Sequence, residues 1–144
     1  MKKVALLFFF SFLAMTNIQG QEIEWLTLAE GERKMKEEPK KLFIDIVADW
    51  CKWCKVMEKE TFSDPKVIKY VQENYYAVKL EYEDPTVLAF KGKEWKSKAL
   101  ATSWSVQDLP TIVFWDEGFS NKSLSRGYQD ANQFLESLQL FAEF

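Results

Sequence analysis

Residues 42–48 form a nearly unbroken apolar run that leads straight into a pair of cysteines. Leu42-Phe43-Ile44-Asp45-Ile46-Val47-Ala48 holds one polar residue, Asp45, and is rich in β-branched side chains. A run this short and apolar reads as a central parallel strand covered on both faces. Only Asp49 and Trp50 separate it from Cys51. Lys52 and Trp53 then lie between Cys51 and Cys54, the only cysteines of the chain. That placement suits the mouth of an α/β sheet, and the spacing suits a dithiol that cycles between reduced and disulfide forms.

Two other uses of the pair remain open from the residues themselves. A structural disulfide gains most when it closes a long loop, and this pair closes almost none. Two thiolates can also carry Cu(I). The chain has no histidine, however, and Met57 is the nearest methionine. Zinc needs about four ligands, and no convincing set is present. Redox cycling is therefore the favoured reading, with no metal and no organic cofactor expected beyond the Cys51–Cys54 disulfide itself.

The N-terminus reads as an export signal. Lys2 and Lys3 precede an apolar run over residues 4–15, broken by Ser11, and residues 17–20 turn polar and end on the small Gly20. The run is short for a membrane span. Cleavage after Gly20 is expected, which gives a signal peptide over 1–20 and one domain over 21–144. Ile18 is an imperfect residue for a cleavage site, so an uncleaved anchor is the alternative. Periplasmic or secreted localisation follows. The net charge of −3 becomes more negative once Lys2 and Lys3 leave, which argues against a nucleic-acid role. The charge runs at 36–41 and 81–84 read as solvated surface.

Local signals organise the rest. Thr27-Leu28-Ala29-Glu30 is a capping-box pattern that starts a helix near Leu28, and Pro39 stops it. A second helix is expected from about Cys51. Asp64 and Pro65 mark the start of a third. Residues 76–82 read as a strand and residues 94–104 as a helix. Residues 111–115 and 122–126 pair as a hairpin through Asp116-Glu117-Gly118. Ala131, Phe134, Leu135, Leu138 and Phe141 give a closing amphipathic helix. Phe43, Phe114 and Phe134 are expected in the core, and Trp25, Trp95, Trp104 and Trp115 in packing roles. The fold class is α/β, a central mixed β-sheet flanked by helices on both faces.

Four features in order resemble the thioredoxin superfamily. The strand ending in Trp50-Cys51 looks like that family's strand into its active site. Cys51 and Cys54 match its dithiol. Asp45, six residues before Cys51, falls where the family carries a buried acid. Val106-Gln107-Asp108-Leu109-Pro110-Thr111 looks like its cis-proline loop. The resemblance covers residues 23–141 and is strongest to the exported subgroup related to the C-terminal domain of DsbD, with Trp-Cys-x-Trp-Cys-Lys. Residues 61–65 also fit that subgroup. Lys52 and Trp53 replace the Gly-Pro of ordinary thioredoxins, and Leu109 is bulkier than the common residue before the proline. Substrate preference is therefore not carried over.

The resemblance implies a thioredoxin fold and a thiol–disulfide oxidoreductase. Cys51, at a helix N-terminus that stabilises a thiolate, would be the exposed nucleophile and Cys54 the resolving thiol. Asp45 would exchange the Cys54 proton, since burial in an apolar strand raises a carboxyl pKa. The plainer alternative is a carboxylate satisfied by local hydrogen bonds. Trp50, Trp53, Leu109 and Pro110 would contact partners, with the Leu109 backbone pairing with an extended segment. Trp50 would also pack beside the dithiol and cover it, with simple core packing as the alternative. The implied partners are protein disulfides and a membrane dithiol electron donor, with the protein a monomer. The lack of histidine between the cysteines favours a reductase over an oxidase or isomerase. A non-enzymatic binding module is the competing class.

Overall fold

The computed structural model describes residues 22–143. The expected leader and its cleavage site lie outside the described residues. In chain order the elements are β1 Trp25–Leu26, α1 Leu28–Glu37, β2 Lys41–Val47, α2 Lys52–Glu60, α3 Pro65–Asn74 and β3 Tyr75–Glu81. They continue with β4 Val87–Phe90, β5 Lys93–Lys96, α4 Ser97–Ser103, β6 Thr111–Trp115, β7 Lys122–Arg126 and α5 Ala131–Ala142.

The main sheet has five strands in the order β1-β3-β2-β6-β7. β3 runs parallel to β1 and β2, whereas β6 is antiparallel to β2 and β7. The apolar run thus forms the middle strand of a mixed sheet, with all of residues 42–46 buried. Side chains alternate across it. Leu42, Ile44 and Ile46 pack with Leu28 and Met35 of α1 and with Leu100 and Ala101 of α4. Phe43 faces the other way, among Met57 of α2, Val67 and Val71 of α3, and Phe134 and Leu138 of α5. Helices therefore cover both faces. Phe43, Phe114 and Phe134 are buried, as are Trp104 and Trp115, and Trp25 and Trp95 pack half-buried at the margins.

The helix starts follow the local signals. Thr27 accepts the N–H of Glu30 while the Glu30 carboxylate accepts the N–H of Thr27, a closed capping box. Asp64 caps α3 through the N–H groups of Lys66 and Val67, with Pro65 in the first turn.

One stretch differs from expectation. Residues 94–104 do not form a single helix. Lys93–Lys96 is a strand paired antiparallel with β4, and only Ser97–Ser103 is helical. The cause is the turn at Lys91-Gly92, where φ is +52° and +72°. Two consecutive positive φ values close a two-residue hairpin, and Trp95 then packs toward the α1 and α4 side of the core. β1, two residues long, was not foreseen either.

Candidate active site

β2 delivers the dithiol to the C-terminal end of the central strands. After Val47 the chain turns, with the Cys51 N–H donating to the Ala48 carbonyl at 3.0 Å. Cys51 is the N-cap of α2, and its Sγ accepts the N–H of Cys54 at 3.2 Å. Here a sulfur takes the place of the usual capping oxygen, in the position where a helix stabilises negative charge. Cys51 and Cys54 are joined as a disulfide, with Cα atoms 5.3 Å apart. Exposure does not distinguish them, since each is only 4% exposed. What separates them is place: Cys51 precedes the helix and Cys54 lies within its first turn.

The disulfide packs with Ala48, and half-buried Val47, Tyr82 and Leu109 close around it. The Leu109–Pro110 peptide is cis. The loop is braced by the Thr111 hydroxyl, which donates to the Asp108 carbonyl at 2.6 Å. It is also tied to the β7–α5 loop, where the Gly127 N–H donates to the Pro110 carbonyl at 2.9 Å. Trp50 and Trp53 stand at the rim, 63% and 52% exposed. Trp50 is therefore not a core residue. Trp53 leans on the ring of Tyr128, with centroids 5.1 Å apart.

Asp45 lies below this rim, on the face of β2 that carries Phe43. It is 1% exposed, and its Oδ2 has no hydrogen-bond partner among the described residues. A locally satisfied carboxylate does not fit that oxygen. Burial pushes the Asp45 carboxyl up from 3.8 to about 7; the positive charge of Lys79 opposes the shift and Glu58 reinforces it. An acid in that range holds or releases a proton at neutral pH. Lys79 itself pairs with Glu58 and sits 4.6 Å from the ring centroid of Trp25.

The structure thus brings Cys51, Cys54 and Leu109 into one cluster, sets Pro110 beside it, and holds Asp45 in the strand that leads there. Lys79, Glu58, Tyr82 and Tyr128 were missed by sequence reasoning. Lys79 carried a signal, a lysine inside the apolar strand 76–80. The others meet the site only through tertiary packing. Among the described residues, no three His, Cys, Asp or Glu side chains group to hold a metal. No helix among them is long and apolar enough to cross a membrane.

Comparison with known proteins agrees with this geometry. The family described as Thioredoxin-like domain matches residues 28–142. The chain is 35% identical over 117 residues to the thiol:disulfide interchange protein DsbD of Pectobacterium atrosepticum, covering 80% of this chain and 19% of that protein. It thus spans about a fifth of the length of the curated relatives it matches. Among solved structures, a thioredoxin from Thermus thermophilus superposes with a TM-score of 0.68 at 18% identity, covering 83% of this chain and 87% of that one. The oxidised C-terminal domain of Neisseria meningitidis DsbD does so with a TM-score of 0.61 at 23% identity, covering 78% and 90%.

Proposed function

The chain belongs to the thioredoxin-like family, and from that premise we propose that it is an exported oxidoreductase that reduces disulfides of periplasmic partner proteins through Cys51 and Cys54. The observation that carries this reading is the disulfide at the N-cap of α2, packed against Leu109 beside the cis Pro110. The relatives named thiol:disulfide interchange proteins support the same chemistry.

The cycle starts from the dithiol. The Cys51 thiolate, favoured by the helix N-terminus, attacks one sulfur of the partner's disulfide. A bond forms between Cys51 and that sulfur, and the partner's second sulfur leaves as a thiolate. Asp45 takes the proton of Cys54, whose sulfur then attacks Cys51. The Cys51–Cys54 bond forms, the mixed disulfide breaks, and the partner departs with both sulfurs reduced. Two electrons pass to the partner. A dithiol on a membrane protein restores the starting state. Trp50, Trp53 and Leu109 offer the partner apolar contact, and the Leu109 backbone pairs with its extended segment. The working unit is a monomer that needs no bound cofactor.

Single-turnover assays with a disulfide-bonded protein test this reading. The reduced protein should reduce one disulfide per chain. Cys51→Ser should abolish turnover, and Cys54→Ser should trap a mixed disulfide visible by mass. Asp45→Asn should slow resolution more than formation. Full turnover by Cys51→Ser would refute the proposal.

A further inference from the structure

The loop between β7 and α5, residues 127–130, ties the dithiol helix to the proline loop. At one end the Gly127 N–H holds the Pro110 carbonyl. At the other, the Thr61 hydroxyl, just past α2, donates to the Gln129 carbonyl at 2.6 Å. Tyr128 lies between these anchors. Its ring meets Trp53 at 5.1 Å with the planes inclined by 45°. Its hydroxyl reaches Glu60 Oε2 at 3.4 Å. Trp53 and Glu60 are seven residues apart, two turns along one face of α2. Tyr128 thus clasps α2 at the turn that carries both cysteines and again at its last residue. No other ring within the described residues stacks on Trp53.

We propose that Tyr128 is a positioning residue that, by clasping Trp53, holds the turn between Cys51 and Cys54 closed and so favours the disulfide over the dithiol. The proposal rests on the redox reading above. A disulfide needs both sulfurs at bonding distance, whereas a dithiol tolerates a looser turn. Trp53 is one of only two residues between the cysteines. Restraining it raises the effective concentration of one thiol at the other, and so the equilibrium constant for closing the bond. The restraint acts from outside the dithiol and touches neither sulfur. A residue that only supported the fold would stabilise both redox states alike and leave that constant unmoved.

The test is equilibration in glutathione buffers. In it two glutathione thiols pass two electrons and two protons to the Cys51–Cys54 disulfide, which opens to two thiols, and they leave as one glutathione disulfide. Tyr128→Ala should shift the equilibrium toward the dithiol by about threefold to tenfold, the scale of one aromatic pair. Tyr128→Phe, which keeps the ring, should stay within about twofold of wild type. Trp53→Ala should shift like Tyr128→Ala, and the double variant should shift no further, because both remove one contact. Trp53 is half exposed, so its variant tests the clasp even if Tyr128→Ala folds poorly. Unchanged equilibria in either alanine variant, or shifts that add in the double, overturn the proposal. A wild-type pair that never equilibrates overturns the redox reading, and this proposal with it.

Discussion

Asp45 and Lys79 are register partners on the parallel strands β2 and β3, yet the Lys79 ammonium pairs with Glu58 and leaves the Asp45 Oδ2 without a hydrogen bond among the described residues. The buried acid therefore has a positive charge nearby that is engaged elsewhere and does not satisfy its Oδ2. Its carboxyl stays up at about 7 because burial outweighs the attraction of Lys79.

That pKa makes stability depend on pH with a defined sign. The carboxyl titrates near 3.8 when unfolded and near 7 when folded. Between these values the folded state holds a proton that the unfolded state has lost. The contribution of Asp45 to stability is therefore full below about 3.8, falls as pH rises, and is gone above about 7. The fall amounts to up to about 4 kcal/mol. Asp45→Asn should flatten this part of the profile. Urea unfolding of the oxidised protein between pH 4 and 8 checks it; parallel wild-type and variant profiles would count against a raised Asp45 pKa.

Lys79→Met should move the same midpoint upward. It removes the charge that lowers the Asp45 pKa and frees Glu58, whose charge raises it. Carboxyl titration followed by NMR gives the direction directly. A midpoint that falls would show that the field at Asp45 comes from elsewhere.

Trp50 offers a large apolar face to solvent. Trp50→Ala should change unfolding free energy by less than about 0.5 kcal/mol, as surface substitutions do. It should raise KM for a protein disulfide severalfold and leave reduction of a small aromatic disulfide near wild type. Equal losses on both substrates would place Trp50 in the chemistry rather than in partner contact.

Gly31 sits inside α1, where alanine would ordinarily add helix stability of about 1 kcal/mol. Here an added Cβ would meet Val78 Cγ2 at 2.7 Å and Leu42 Cδ1 at 2.8 Å. Gly31→Ala should therefore destabilise, by about 1–3 kcal/mol from overpacking. Chemical denaturation reads the sign, and a stabilised variant would mean that α1 can lift off β2 and β3 at little cost.

What the sequence made legible was whatever a local signal encodes. Thr27 with Glu30, and Asp64 with Pro65, announced two helix starts. The run at 42–48 marked the middle strand, and Asp116-Glu117-Gly118 the β6–β7 hairpin. The dithiol, Asp45 and the proline loop were readable through their order along the chain. β1 was not, because two residues show no periodicity. The β4–β5 hairpin was hidden because Lys91 takes a positive φ that its side chain does not advertise. Lys79, Glu58 and Tyr128 reach the site by strand register and loop packing, which depend on contacts far apart in the chain.

The reduction potential of the Cys51–Cys54 pair, measured by equilibration in thiol–disulfide buffers, tests the central claim most directly. A periplasmic reductase predicts reversible equilibration at a thioredoxin-like value of about −270 mV. A value of about −120 to −180 mV would contradict the reductase direction and point to an oxidase or isomerase. A pair that never equilibrates would contradict redox function itself and leave a thioredoxin-like domain that only binds.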